Sequence, residues 1–199
     1  MKLIALGITA PRDGADPVIL TSASDLSSFS FFQRGTMGQF ITFSLRQFTK
    51  SAAPGTRATV PHEGHMIHVY VRADGLGATC MVDAEYPDRV AFTLLSAILD
   101  EFTEKYQDKW RGESNDNSMP LPTLEAQLAK YQNPAEADKL MAIQKDLDQT
   151  KAIMHDTIEA ALDRGVKLDE LIEKSEDLSS SSKMFYKTAK KQNQCCYIM

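Results

Sequence analysis

The residues with the plainest covalent chemistry stand at the end of the chain. Cys196-Tyr197-Ile198-Met199 is a C-a-a-X box, in which the cysteine thiol is alkylated by an isoprenoid, and Met in the last position favours farnesyl. Cys195 beside it is a candidate second acceptor, for palmitoyl or another prenyl group. Lys183, Lys187, Lys190 and Lys191 precede the box, with no acid after Asp177. An anionic leaflet attracts such a segment by about 1 kcal/mol per charge. One lipid chain binds a membrane marginally and reversibly, whereas two hold it firmly. The pair therefore predicts a permanent farnesyl on Cys196, with Cys195 deciding how long the chain stays on the membrane.

Other side chains with chemical potential fall short of a site. His62, His65 and His68 match no helical ligand spacing, and in a single strand His65 would point away from the other two, so no metal is expected. Phosphate cradling needs G-x-x-x-x-G-K-[ST], and the chain has no Gly-Lys dipeptide, which disfavours a prenylated small GTPase. Cys80 lies in an apolar run and reads as a small buried residue, not a nucleophile. The acid pairs Asp169-Glu170 and Glu176-Asp177 belong to a solvated helix face. No Ser-His-Asp signature occurs. The chain is expected to be no enzyme and to carry no cofactor beyond covalent lipids.

Composition narrows the class further. A net charge of −5 over 199 residues argues against a nucleic-acid surface. No run of 18 apolar residues occurs, so no transmembrane helix is expected. The apolar start Leu3 to Ile8 is followed at once by Thr9, Pro11, Arg12 and Asp13, which predicts a first strand, not a secretory leader. Three cysteines, two of them adjacent, make no disulfide framework and suit a reducing compartment.

The elements that must carry these residues divide at Pro134. All eight prolines lie at or before it, and of the ten glycines only Gly165 follows Ser114. The first part reads as α+β. Strand-length apolar runs occupy 3–8, 18–20, 66–71 and 78–82, with a weaker strand near Arg57 to Val60 and a hairpin turn at Asp74-Gly75-Leu76-Gly77. Helical periodicity runs from Leu26 through Phe48, and again after Pro87 through Val90, Leu94, Leu95, Ile98 and Phe102. Pro87 suits a first helical turn. After the polar stretch Gly112 to Pro122, a short helix is expected around Leu124, Leu128 and Tyr131. Asn133-Pro134-Ala135-Glu136 then predicts a helix start. A helix from there to residue 192 would be roughly 90 Å long, too long to be buried as one rod in so small a chain. It must fold back in pieces or pack on partners. The domains expected are 1–131, a linker and cap at 132–139, a coiled-coil segment at 140–192 and a lipidated tail at 193–199.

Stepping by threes and fours from Arg164 gives one seam. Upstream lie Ala161, Thr157, Met154, Thr150, Leu147, Ile143 and Leu140; downstream lie Leu168, Leu171, Ser175, Leu178, Ser182, Phe185, Ala189 and Gln192. The flanks carry mixed charge. A homodimer on this seam would set two arginines face to face, and an unpaired buried guanidinium costs several kcal/mol. The seam therefore predicts one strand of a hetero-oligomer, whose other chains supply neutral or anionic oxygens to Arg164.

Arg164-Gly165-Val166-Lys167-Leu168-Asp169-Glu170-Leu171, with Phe185-Tyr186-Lys187-Thr188-Ala189-Lys190-Lys191 after it, resembles the SNARE motif of the R type shared by synaptobrevin and its relatives. The resemblance implies that Arg164 is the central ionic-layer arginine. Three glutamines from three partner helices would meet it in a parallel four-helix bundle, with the seam residues as the other layers. Glu85-Tyr86-Pro87-Asp88-Arg89-Val90-Ala91-Phe92-Thr93-Leu94-Leu95 and Phe29-Ser30-Phe31-Phe32-Gln33-Arg34 resemble a longin domain. That implies a profilin-like fold, a five-stranded antiparallel sheet between one helix and two.

The combination is similar to lipid-anchored longin R-SNAREs. It implies vesicle-membrane fusion on ER-to-Golgi, endosomal, vacuolar and autophagic routes, with residence in the cytosol and on the cytoplasmic face of those membranes. The partners implied are glutamine-type SNARE helices, an anionic membrane surface, a prenyltransferase and an ATP-driven disassembly machine. Two regulatory expectations accompany it. The longin domain would close over the SNARE helix and the lipid, with Phe40 and Phe43 as groove residues. Phosphate on Ser175 or Ser182 would place nearly two charges in a packed layer and block the bundle. The competing reading is a prenylated tethering coiled coil, which would not need Arg164 at its centre.

Overall fold

The computed structural model describes residues 2–62, 64–134, 152–154 and 168–184. Its centre is a sheet whose five principal strands are β1 (Leu3–Ala10), β2 (Val18–Ser24), β3 (Thr56–His62), β4 (His65–Val71) and β5 (Gly77–Asp83). They lie in the order β2-β1-β5-β4-β3, every pair antiparallel. Each apolar run expected to be a strand is one, including the weak one before Val60. The β4–β5 turn is closed by Arg72 N–H to the Leu76 carbonyl at 2.9 Å, and Gly75 takes a φ of +91° there, which glycine adopts without strain.

Side-chain alternation loads both faces of the sheet, so it is covered twice. On one face lie α2 (Asp88–Tyr106), a 3₁₀ turn at Gln107–Trp110 and α3 (Thr123–Lys130). Pro87 stands at the cap of α2, one position before the first turn in which the sequence places it. Leu6, Ile8, Leu20, Leu94, Leu95, Ile98 and Phe102 are fully buried between these helices and the sheet. On the other face lies α1 (Phe31–Ser51). It crosses close to the strands: a Cβ on Gly77 would sit 2.4 Å from Thr49 Cγ2, and one on Gly7 would sit 2.7 Å from Leu45. The arrangement is the profilin-like α+β fold, one helix on one face and two on the other.

The two sheet edges are treated differently. β2 is capped by the 116–121 loop, where Asn117 and Met119 donate to the carbonyls of Ile19 and Leu20 at 2.7 and 3.2 Å. β3 instead accepts a sixth strand, β6 (Ala152–Met154), from within the heptad segment. It pairs parallel, Arg57 with Ala152, Ala58 with Ile153 and Thr59 with Met154.

Within the expected coiled-coil segment 140–192, residues 152–154 are strand and not helix. There the segment satisfies the open N–H and C=O groups of the β3 edge instead.

Candidate functional site

The site is the place where the heptad segment lies on the longin-type domain. Besides β6, it comprises α4 (Leu168–Lys174), an irregular stretch at 175–179 and helical backbone at 180–184. The helix breaks where serines offer the backbone other partners. Ser175 Oγ accepts the Asp177 N–H at 3.2 Å, and Ser179 Oγ accepts the Ser182 N–H at 3.3 Å, starting the next helical turn.

Three contacts set the direction of this segment against α1. The Asp177 carboxylate lies 3.4 Å from Arg46 Nε, the Ser179 N–H donates to Gln39 Oε1 at 2.8 Å, and Ser182 Oγ donates to Thr36 Oγ1 at 3.5 Å. As the segment advances, its partners step back along α1, so the two run antiparallel. Arg46 also pairs with Asp116 of the loop that caps β2, which links the docked segment to the far sheet edge.

The apolar contact is substantial. Ile172 and Leu178, each 4% exposed, join the buried cluster of Phe40, Phe43, Leu45, Phe48, Val60, Ile67 and Met81, and Leu171 packs on it half-buried. Ser175 and Ser182 are buried too. The seam positions Leu171, Ser175, Leu178 and Ser182 are thus turned onto the longin-type domain.

Phe40 and Phe43 are fully buried in this same cluster, with Phe40 stacked on His62 at 4.2 Å. They form part of the floor on which Ile172 and Leu178 of the docked segment pack. The backbone of Leu168 lies in α4 and that of Met154 in β6. Arg164, Leu140, Ile143, Leu147, Thr150, Thr157, Ala161, Phe185, Ala189, Gln192, Cys195 and Cys196 lie outside the described residues. So does most of the helix expected after Asn133. Ile172, Gln39 and Arg46 were not anticipated. Of these only Ile172 carried a signal, being an apolar residue one position off the seam.

Burial keeps two imidazoles neutral. Burial pushes the His62 imidazole down to about 4, assisted by the neighbouring His65. His68, with no exposed side-chain surface, is likewise held near 4 by burial, against the opposing pull of Asp88, whose carboxylate lies 3.8 Å from Nε2. Nδ1 of His68 meets Thr59 Oγ1 at 3.1 Å.

The three histidines are not arranged as one strand would place them. His62 and His65 pair across the β3–β4 hairpin and contact Phe40 and Phe29, while His68 meets Phe92 on the opposite face. Among the described residues no metal cluster forms. Burial raises the Cys80 thiol far above its usual range, so it is no nucleophile.

A regulatory-type longin domain bearing a heptad segment on its α1 face defines a class of membrane-trafficking protein, and the family comparisons agree. The regulated-SNARE-like longin domain matches residues 26–128, and the synaptobrevin domain matches residues 139–198. The chain is 47% identical to the VAMP-like protein YKT61 of Arabidopsis thaliana, over 201 residues and the whole of both chains. The synaptobrevin homolog ykt6 of Schizosaccharomyces pombe is 48% identical over 200 residues, again over both whole chains. Its Saccharomyces cerevisiae counterpart is 41% identical over 203 residues.

The chain therefore belongs to the longin-domain synaptobrevin family of SNAREs. It is an R-SNARE of vesicle-membrane fusion, not an enzyme, and it works by associating with other SNARE helices. No helix of the described residues is long and apolar enough to cross a membrane.

Proposed function

We propose that this R-SNARE is held in reserve by its own longin domain. The carrying observation is that seam positions 171, 175, 178 and 182 are covered by the domain. A residue cannot pack against α1 and against three partner helices at once. Docking and bundling therefore exclude each other, and zippering waits on release. The strand at 152–154 adds a second obstacle, because its residues must exchange a ladder on β3 for helix.

In the released state Arg164 supplies five donors to side-chain oxygens of three glutamine-type helices. Zippering from the Leu140 end toward the tail then draws two membranes together by burying the seam. Farnesyl on Cys196 and a second lipid on Cys195 anchor the chain to anionic cytoplasmic leaflets of Golgi, endosomal, vacuolar and autophagic membranes. An ATP-driven machine returns spent bundles to single chains. Phosphate on Ser175 or Ser182 fits neither state, since both serines are buried when docked and lie on the seam when bundled.

Ile172 separates the two states experimentally. It is buried in the docked form but is not a seam position. Ile172→Asn is expected to speed assembly with the three partner helices several-fold, with bundle stability unchanged. Assembly at the wild-type rate, despite a normally folded longin domain, would refute self-restraint.

A further inference from the structure

Among the described residues three large apolar side chains stand in solvent: Phe31, Phe32 and Met184, at 80, 90 and 69% exposure. Adjacent residues on a helix point about 100° apart, so one of the two phenylalanines would ordinarily find the sheet. Neither does, because residues 31–35 are all exposed and α1 overhangs the sheet by its first turn.

That turn is held in place. Gln33 Oε1 accepts from the Ser30 N–H at 3.3 Å and from Ser30 Oγ at 2.8 Å, and Arg34 Nε donates to the Phe29 carbonyl at 3.1 Å. The two rings meet edge to face with centroids 5.8 Å apart. The result is a fixed aromatic tip whose side chains, among the described residues, belong to neither buried cluster.

Its charge and position indicate what covers it. The first turn of α1 carries no acid; its Arg34 donates to the Phe29 and Ser27 carbonyls, and Lys2 and Arg34 both act on Asp25. The docked segment runs from Arg46 past Gln39 to Thr36, one turn short of Phe32, and reaches exposed Met184 at the same end of α1. From there Lys187, Lys190 and Lys191 lead to Cys196. Twelve residues span roughly 40 Å at full stretch, so a lipid there keeps this end of the domain near the bilayer.

We propose that Phe31 and Phe32 form a membrane-inserting tip, seated in the interface of an anionic bilayer while the tail anchors the chain. The tip fixes which side of the longin domain faces the membrane. Aromatic side chains favour that interface, and flanking Arg and Lys meet its phosphates. The proposal rests on the lipid-anchored reading, and its test is made independent of natural lipidation.

The test uses the full chain, tethered by a C-terminal hexahistidine tag to nickel-chelating phosphatidylcholine vesicles containing phosphatidylserine. Phe32→Trp emission should shift to the blue and fall at least about twofold with acyl chains brominated near the headgroup, the depth an interfacial side chain reaches. Native Trp110, 3% exposed, supplies the unquenched background. On the farnesylated chain, Phe31→Ser/Phe32→Ser should lower vesicle partitioning about tenfold or more, with thermal unfolding unchanged.

Absence of quenching on the tethered chain would overturn the proposal. So would a blue shift without vesicles that vanishes on truncation after Met184, which would make the chain's own tail the occupant. A dimer abolished by the double variant would assign the tip to a second copy and overturn it likewise. Failure of the chain to take up farnesyl would count against the anchored-tail reading alone.

Discussion

The two faces of the sheet are built for different lifetimes. Among the described residues, the α2 face is closed by side chains of one continuous stretch, residues 3–131, and its core includes Phe102, Leu95, Ile98 and Trp110 with none from the heptad segment. The α1 face is completed by Ile172 and Leu178, residues of the segment whose release is proposed above. The edges repeat the contrast, since β2 is capped by a loop of the domain and β3 by a strand of that same segment. On the proposed reading, in which the SNARE segment is stored and then released, the first core stays closed and the second has a removable cover.

The largest expected effect would test the permanent face. Phe102→Ala should cost about 3–5 kcal/mol of global stability, read by chemical denaturation, with no selective gain in partner binding. If it promoted assembly without destabilising the fold, the two faces would not be independent.

The next effect is a pH dependence of opposite sign on the two faces. His68 sits under α2 and is depressed to about 4 from 6.5. The stability it supports is complete above 6.5 and is lost as pH falls toward 4, by about 3 kcal/mol. His68→Gln should flatten that slope in denaturation curves.

Asp177 lies on the removable face. Burial raises its carboxyl, with Asp16, Asp116 and Glu176 adding to the rise and Arg46 opposing it. The docked state therefore holds its proton to higher pH than the released state, so docking tightens as pH falls through the carboxylate range and slackens above it. Asp177→Asn should dock slightly more tightly at neutral pH, by less than about 1 kcal/mol, and lose the acid strengthening. Hydrogen exchange at residues 170–184 reads both.

Much of the permanent face was legible in the sequence, because its signals are local. Val90, Leu94, Leu95, Ile98 and Phe102 mark one helix face, and the apolar runs between turn residues mark strands. The removable face was legible only in its bundled form. Ala152-Ile153-Met154 sits inside a seam of helical period, and its strand state depends on an open edge nearly a hundred residues away. Ser175 and Ser179 break the helix with hydrogen bonds that compete with it, a signal present in the serine run but outweighed by the heptads. Gln39 and Arg46 lie on α1, where no sequence pattern distinguishes a docking side chain from a solvated one. His65 misled because the β3–β4 turn falls between it and His62, reversing the chain so that both reach one face.

The central claim is that docking and bundling compete for one surface. The direct measurement joins Gln39→Cys to Ser179→Cys by a reducible cross-link in a Cys195→Ser/Cys196→Ser chain, at the place where the Ser179 backbone N–H donates to Gln39 Oε1 at 2.8 Å. The cross-linked chain should fail to assemble with three glutamine-type SNARE helices and recover fully on reduction. Equal assembly before and after reduction would contradict the account.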